Sequence, residues 1–188
     1  MQYRNELIFI SGGVRSGKSA FAEGIAIQRA KETKKPLNYI ATSKVEDSEM
    51  KERILRHQKQ RVESGVHWKT FEIPNHFPEN IKNLNIEGVV LLDCLTVLLA
   101  NELFATLVPE SEITDHSEFI AQNIIYGITA LREKVHTLVI VSNEIHHELI
   151  DDVYVAAYQR TLGRLHQRIV EVSSSAFLVE ATIPQQMK

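Results

Sequence analysis

Lys18 and Ser19 lie in the glycine-rich stretch "SGGVRSGKSAFAE" (Ser11–Glu23), which has the composition of a phosphate-binding loop. The pattern G-x-x-x-x-G-K-S/T is matched by Gly12, Gly17, Lys18 and Ser19. Glycines let the backbone turn tightly, so that several N–H groups point at one anion, and a following helix adds partial positive charge. We expect Lys18 to reach the outer phosphates of a nucleoside triphosphate and the Ser19 hydroxyl to bind Mg²⁺.

Asp93 ends the apolar run "VVLLD" and is a candidate for the second oxygen ligand of that Mg²⁺. Triphosphate-binding loops of this type use an acidic residue at the end of another buried strand to hold the metal. A helix cap is the alternative role, since Asp is favoured there. The apolar run before Asp93 favours the metal role. Cys94, which follows, is expected to be a small buried apolar residue rather than a nucleophile.

A third candidate is the histidine in the charged stretch "DSEMKERILRHQKQR" (Asp47–Arg61). On a helix, Arg53 and Arg61 lie four residues to either side of His57, so the three share one face. Nearby cations lower the pKa of an imidazole, and a neutral imidazole is what a nucleophile needs. The arginines could hold phosphate oxygens while the imidazole attacks phosphorus. Spacing alone favours the alternative, a solvated polar face with an incidental histidine.

The other side chains capable of chemistry form no comparable cluster. No role is predicted for His67, His116, His136 or His166. His146, His147 and Glu148 are adjacent in sequence and do not share a helix face, so a polar loop is expected there rather than a metal site. Trp68 is expected to pack rather than to stack on a base.

Five apolar runs must position these residues. The runs are Leu7–Ser11, Leu37–Thr42, Val89–Cys94, Thr137–Glu144 and Ala176–Ala181. They are nearly continuous in Val, Ile and Leu, as in strands that are buried on both faces of a parallel sheet. Both the glycine-rich loop and Asp93 follow such a run, so we expect them at the carboxyl ends of strands.

Amphipathic segments alternate with these runs. Helices are predicted over Ser19–Lys35, Ser48–Ser64, Ser117–Val135 and Asp151–Val172. The alternation predicts an α/β fold with a mostly parallel central sheet flanked by helices. The stretch Gly65–Asn85 is predicted to be loop, because it contains Pro74 and Pro78.

The composition excludes or disfavours several classes of protein. The 188 residues predict a single domain over 1–188, and the apolar (44%) and charged (24%) shares are typical of soluble globular proteins. A formal net charge of −3 disfavours a nucleic-acid partner. Cys94 is the one cysteine, which excludes a disulfide framework. With neither a signal layout nor a membrane-spanning run in the sequence, we expect a cytoplasmic protein.

The motifs occur in a characteristic order: "FISGGVRSGKSAFAE", "YIATS", "EMKERILRHQKQR", "HWKTFE", "LLDCLTVLLANELF" and "IVSNEI". In this combination the sequence resembles the bifunctional adenosylcobinamide kinase / adenosylcobinamide-phosphate guanylyltransferase family of cobalamin biosynthesis. The resemblance runs from about Leu7 to Ile145, with a weaker similarity at Tyr158–Gln167. A P-loop alone does not distinguish families, but the "ATS" and "SNE" strand ends and the R-I-x-x-H-x-x-x-R helix together are quite specific.

The resemblance implies a RecA-like P-loop fold, a homotrimer and two reactions. ATP or GTP first phosphorylates the hydroxyl of adenosylcobinamide. GTP then gives its GMP to a histidine, releasing pyrophosphate, and the GMP passes to adenosylcobinamide phosphate to form adenosylcobinamide-GDP. The nucleophilic histidine of the family corresponds to His57, and Lys18 is the second catalytic residue expected.

The resemblance also implies the nucleotide contacts. They are Gly12, Gly13, Val14, Arg15, Ser16, Gly17, Lys18, Ser19, Ala41, Thr42, Ser43, Gln58, Lys59, Gln60, Arg61, Glu72 and Asp93. Ser19 and Asp93 are the expected Mg²⁺ ligands, and GTP and ATP are the expected substrates.

The sequence departs from the family after Asn143 and Glu144. The family has a glycine-rich run ending in Val-Pro, whereas this chain continues with "IHHELIDD" (Ile145–Asp152). Substrate recognition, or one of the two activities, is where a difference is expected. Two other hypotheses stay open: a P-loop small-molecule kinase without guanylyl transfer, and a nucleotide-binding regulatory module.

Overall fold

The computed structural model of the chain describes residues 5–44, 65–144 and 152–188. Seven strands lie in these ranges: β1 (Glu6–Gly12), β2 (Leu37–Ala41), β3 (Trp68–Glu72), β4 (Val89–Asp93), β5 (Thr137–Asn143), β6 (Ser175–Glu180) and β7 (Ile183–Gln186). All five predicted strands are confirmed to within one residue at each end. Their apolar runs were long enough, and sharply enough bounded by polar residues, to locate them.

Within the described ranges, five α-helices flank the strands: α1 (Lys18–Thr33), α2 (Phe77–Asn83), α3 (Leu95–Leu103), α4 (Ile113–Lys134) and α5 (Val153–Val172). A 3₁₀ turn, Glu110–Glu112, precedes α4. Three of the predicted helices correspond to α1, α4 and α5. The fourth, Ser48–Ser64, lies outside the described residues. None of the helices in the described ranges is long and apolar enough to cross a bilayer.

The strands form one sheet in the order β3-β2-β4-β5-β1-β6-β7. Every neighbouring pair is parallel except β6 and β7, which form an antiparallel hairpin. The register pairs Ala41 with Glu72 on one side and with Asp93 on the other, and Gly12 with Asn143. The carboxyl ends of the six parallel strands, β1 to β6, therefore lie at one edge of the sheet.

The four central strands, β2, β4, β5 and β1, are buried on both faces of the sheet. Alternate residues of β1 point to opposite layers, with Leu7 and Phe9 in one core cluster and Ile8 and Ile10 in the other. The first cluster contains the buried apolar residues of α2, α3, α4 and α5, and the second contains the buried alanines of α1, Ala22, Ala26 and Ala30. Near-continuous apolar strands are what such double coverage requires, so the predicted α/β architecture is confirmed.

The prediction of loop over Gly65–Asn85 is wrong. The structure has β3 (Trp68–Glu72) and α2 (Phe77–Asn83) there. Pro78 lies in the first turn of α2, where a proline leaves no extra N–H unsatisfied and already has a helical φ. Pro74 falls in the connection between the two elements. The prolines therefore mark the boundaries of regular structure rather than its replacement by loop.

Candidate nucleotide site at the carboxyl edge of the sheet

The glycine-rich loop joins β1 to α1, as the motif predicts. Gly17 precedes the first residue of α1 with a φ of 91°, a left-handed conformation that favours glycine. Lys18 is 7% exposed, and its Nζ donates a hydrogen bond to the Gly13 carbonyl at 3.0 Å. Ser16 Oγ is buried and has no hydrogen-bond partner in the described part of the chain. The loop thus holds a buried ammonium and an unpaired hydroxyl, both suited to phosphate oxygens.

The β6–β7 hairpin packs against this loop, which the sequence did not predict. The Thr182 N–H donates to the Ser16 carbonyl at 2.8 Å. A Cβ built on Gly17 would lie 3.0 Å from Thr182 Cγ2, and one built on Gly12 would collide with the Val179 carbonyl oxygen. Both glycines are therefore required for close packing, in addition to any contact with phosphate.

Asp93 ends β4 at the same edge of the sheet. Its Oδ2 accepts a hydrogen bond from the Tyr39 hydroxyl at 2.9 Å. The residue that caps α3 is Cys94, and no side chain makes a capping hydrogen bond there. The alternative of a helix cap at Asp93 is therefore wrong. Its half-buried carboxylate lies at the end of the strand, held by a tyrosine from β2.

Thr42 connects the ends of β2 and β4. Its Oγ1 donates to the Cys94 carbonyl at 2.9 Å and accepts from the Cys94 N–H at 2.8 Å. The side chain of Asn101, on α3, donates to the carbonyls of Thr42 and Pro74 at 2.8 and 2.9 Å. Since Thr42 is fully buried, we expect it to hold the strand ends together rather than to contact nucleotide with its side chain.

Cys94 is buried, as predicted. Burial raises the pKa of its thiol to about 11, and the negative charge of Asp93 adds to the rise. The positive charge of Lys18 acts in the opposite direction, which places the P-loop ammonium within electrostatic reach of the end of β4. A thiol with so high a pKa is protonated at neutral pH and is a poor nucleophile.

A hydrogen-bonded chain supports the end of β5, and sequence reasoning missed it. Thr96 Oγ1 accepts from the Asn143 N–H at 2.7 Å and lies 3.2 Å from Ser142 Oγ. Ser142 Oγ lies 2.7 Å from His166 Nε2. Burial lowers the pKa of the His166 imidazole, while the charge of Glu144 opposes that shift. A polar residue at position 96, in the otherwise apolar first half of α3, was the available signal.

The structure brings part of the predicted site together. The predicted residues that share the carboxyl edge are Gly12, Gly13, Val14, Arg15, Ser16, Gly17, Lys18, Ser19, Ala41, Thr42, Ser43, Glu72 and Asp93. The others, His57, Gln58, Lys59, Gln60 and Arg61, lie outside the described residues.

The donors at this edge fit Mg²⁺ by their chemistry. A serine hydroxyl (Ser19) and a carboxylate (Asp93) are hard oxygen ligands, and the carboxylate is already oriented by Tyr39. Magnesium at a triphosphate takes one or two protein oxygens and completes its shell with phosphate and water. Within residues 5–44, 65–144 and 152–188, no cluster of three or more histidine, cysteine or acidic side chains offers a separate metal cage.

A family model decides between the families that carry a P-loop. The model described as cobinamide kinase / cobinamide phosphate guanyltransferase matches residues 8–187. The chain belongs to this family. The match extends past Ile145, beyond which the sequence showed only the weaker similarity at Tyr158–Gln167, and it includes all of α5 and the β6–β7 hairpin.

Three relatives of similar length support the same family assignment. The chain is 31% identical over 188 residues to the bifunctional adenosylcobalamin biosynthesis protein CobU of Escherichia coli, covering 97% of this chain and 99% of the relative. It is 32% identical over 189 residues to CobU of Salmonella typhimurium, with the same coverage. The protein CobP of Pseudomonas aeruginosa is 30% identical over 181 residues, or 95% of each chain.

Among solved structures, the flagellar accessory protein FlaH of Methanocaldococcus jannaschii shares the fold. The TM-score is 0.51 at 13% sequence identity, and the match covers 98% of this chain and 79% of that one. At such low identity the likeness concerns architecture alone. The expected α/β P-loop architecture, with a mostly parallel sheet between helices, is confirmed.

Proposed function

We propose that this chain phosphorylates adenosylcobinamide and then transfers GMP from GTP to the product, giving adenosylcobinamide-GDP and pyrophosphate. The observation that carries the proposal is the family match over residues 8–187. The P-loop geometry supports it independently, because a buried Lys18 beside a tightly turned loop is suited to a triphosphate.

In the kinase step, the cobinamide hydroxyl attacks the γ-phosphorus of ATP or GTP and displaces a nucleoside diphosphate. The charge on the transferring phosphoryl oxygens must be neutralised, and that is the role proposed for Lys18 and for the N–H groups of Gly13–Ser19. Mg²⁺, held by Ser19 and Asp93, would supply further neutralisation of phosphate charge. Tyr39 keeps the Asp93 carboxylate oriented for this purpose.

In the guanylyl step, an imidazole nitrogen of His57 attacks the α-phosphorus of GTP, and pyrophosphate leaves. A phosphate oxygen of adenosylcobinamide phosphate then attacks the same phosphorus and releases the histidine. The covalent intermediate divides one difficult displacement into two easier ones. The spacing of Arg53 and Arg61 around His57 supports this assignment, since guanidinium groups lower the imidazole pKa and bind phosphate oxygens.

A kinase without guanylyl transfer is the second candidate. The stretch Ile145–Asp152, which replaces the glycine-rich run of the family, is the observation that favours it.

A homotrimer and a cytoplasmic location are also part of the proposal. The family resemblance supports the trimer, and the single buried thiol of Cys94 is compatible with a reducing compartment.

A labelling experiment tests the guanylyl step. The protein is incubated with Mg²⁺ and GTP labelled at the α-phosphate, then precipitated without acid. We expect a covalent label that acid releases and alkali does not. The label should be lost in His57→Ala and retained in His67→Ala, the matched histidine control. GTP labelled at the γ-phosphate should leave none. An unlabelled wild-type protein would refute the guanylyltransferase assignment.

A phosphate-transfer assay tests the kinase step and separates a kinase from a binding module. We expect ATP to phosphorylate adenosylcobinamide, and Lys18→Ala to slow the transfer by about a hundredfold or more, because the developing phosphoryl charge loses its cation. Lys31→Ala, at the far end of α1, should keep the wild-type rate. Equal rates in the two variants would mean that the P-loop is not the catalytic cradle.

A further inference from the structure

The turn between β6 and β7 consists of Ala181 and Thr182. Both have positive φ, 46° and 66°, as a two-residue hairpin turn of type I′ requires. Neither is glycine or asparagine, the residues that usually occupy such positions. A β-branched residue with positive φ is a genuine conformational outlier, so Thr182 is held in place by its surroundings.

Those surroundings are the P-loop. The Thr182 N–H donates to the Ser16 carbonyl at 2.8 Å. The three heavy atoms nearest to a Cβ built on Gly17 all belong to Thr182, at 3.0–3.3 Å. In β6, the first strand of the hairpin, the Val179 carbonyl occupies the space that a side chain at Gly12 would need.

The opposite side of the loop is also fixed by backbone. The Glu144 N–H donates to the Gly12 carbonyl at 3.0 Å. The loop is therefore held between the end of β5 and the β6–β7 turn, with Thr182 against Gly17, the left-handed residue that immediately precedes α1. Any change in the Gly17 conformation would redirect the N–H groups that follow it.

We infer that Thr182 is a positioning residue for nucleotide binding: its backbone and Cγ2 methyl hold Ser16 and Gly17 in the phosphate-binding conformation. The inference rests on the proposed function, because it takes the P-loop to be the triphosphate site. Preorganisation of this kind raises affinity by increasing the fraction of molecules in the binding-competent conformation.

The test compares four variants by equilibrium binding of GTP and Mg²⁺ and by thermal unfolding without nucleotide. Thr182→Gly keeps the N–H, relieves the positive φ and removes the packing on Gly17. We expect unchanged or higher stability with about five- to tenfold weaker GTP binding. Ala181→Gly makes the same backbone change one position earlier and keeps Thr182, so its affinity should stay within about twofold of wild type.

Two further variants separate packing from direct contact. Thr182→Val retains the methyl and should keep most of the affinity, whereas Thr182→Ser retains the hydroxyl and should bind more weakly. The reverse order would mean that the hydroxyl touches the nucleotide directly, which overturns the inference. Equal affinity in Thr182→Gly and wild type would also overturn it. If wild-type protein binds no GTP, the proposed function fails instead, so the two failures are distinguishable.

Discussion

Tyr39, in β2, forms a side-chain hydrogen bond with Asp93 at the end of β4. It is 6% exposed, and its hydroxyl donates to Asp93 Oδ2 at 2.9 Å. Sequence reasoning could select Asp93, because an acidic residue stands out at the end of an apolar run. It could not select Tyr39, since an aromatic residue inside a strand carries no sign that its hydroxyl meets a partner 54 positions later.

Replacement of Tyr39 by Phe should lower the affinity for Mg²⁺ at the site proposed for Asp93. Removing the hydroxyl frees the carboxylate to rotate, and loss of such an outer hydrogen bond costs about tenfold or more in metal affinity. The measurement is the Mg²⁺ concentration that half-saturates phosphate transfer. Tyr154→Phe is the matched control, because it removes a hydroxyl that donates to the Val108 carbonyl instead. Identical Mg²⁺ titrations for the two variants would contradict the prediction.

His166 should make the stability of the fold depend on pH. Burial lowers the pKa of the folded imidazole below its unfolded value of about 6.5, so the unfolded chain binds the proton more readily. Its contribution to stability is complete above pH 6.5 and declines as pH falls from there toward the folded pKa. The decline has a limiting slope of about 1.4 kcal/mol per pH unit.

Urea unfolding of wild type and His166→Gln from pH 5 to 8 measures this contribution. The difference between their free energies of unfolding should be constant above pH 7. As the pH falls below about 6.5, the free energy of unfolding of the wild type should decrease relative to that of the variant, because glutamine does not titrate. A difference that stays constant across the whole range would show that the imidazole is not protonated preferentially in the unfolded chain.

At the scale of elements, the sequence was sufficient to predict strands that are buried on both faces. It was not sufficient to predict the strands at the two edges of the sheet or the shortest helix. Apolar runs located β1 and β5 because nearly every residue of these two strands is buried. β3 is an edge strand with exposed residues, and β7 is exposed throughout, so neither carries a continuous apolar run. α2 is a seven-residue helix, too short to produce a clear helical period.

The contact between α2 and α4 gives a prediction at this scale. A Cβ built on Gly127, in α4, would lie 2.6 Å from the Phe77 ring, in α2. Since Phe77 is fully buried, Gly127→Ala should destabilise the fold by about 1–3 kcal/mol through overpacking. Gly163→Ala is the control, because a Cβ there meets nothing within 4 Å, and it should stabilise by about 0.5–1 kcal/mol.

Urea unfolding of both glycine variants measures these opposite effects. Two helical glycines changed to the same residue isolate the packing term from helix propensity, which alone would favour alanine at both positions. A stabilising effect of Gly127→Ala would mean that Phe77 and α2 move aside without loss.

At the scale of the whole molecule, nucleotide binding at the P-loop, as proposed, should raise the stability of the fold. A ligand that binds the native state alone stabilises it by about 2.7 kcal/mol at a concentration of 100 times Kd. For a chain of 188 residues, this corresponds to a rise of roughly 5–10 °C in Tm. We expect Mg²⁺ and GTP to produce such a rise in wild type and in Lys31→Ala.

Lys18→Ala should lose most of that rise, because it removes the buried ammonium that is proposed to neutralise the phosphates. Differential scanning calorimetry at several GTP concentrations provides the measurement. A shift of equal size in Lys18→Ala would show that the nucleotide binds away from the P-loop. A shift that does not grow with GTP concentration would exclude specific binding.

The strand order sets a length scale for the site. Between Gly12 and Asp93 lie two strand spacings, and between Gly12 and Glu72 lie four. At about 4.8 Å per spacing, these separations are about 10 Å and about 19 Å. One phosphate group cannot touch both ends of this edge. A ligand that contacts both Lys18 and Glu72 must therefore present a different group to each, and the edge is wide enough to seat an acceptor beside a nucleotide.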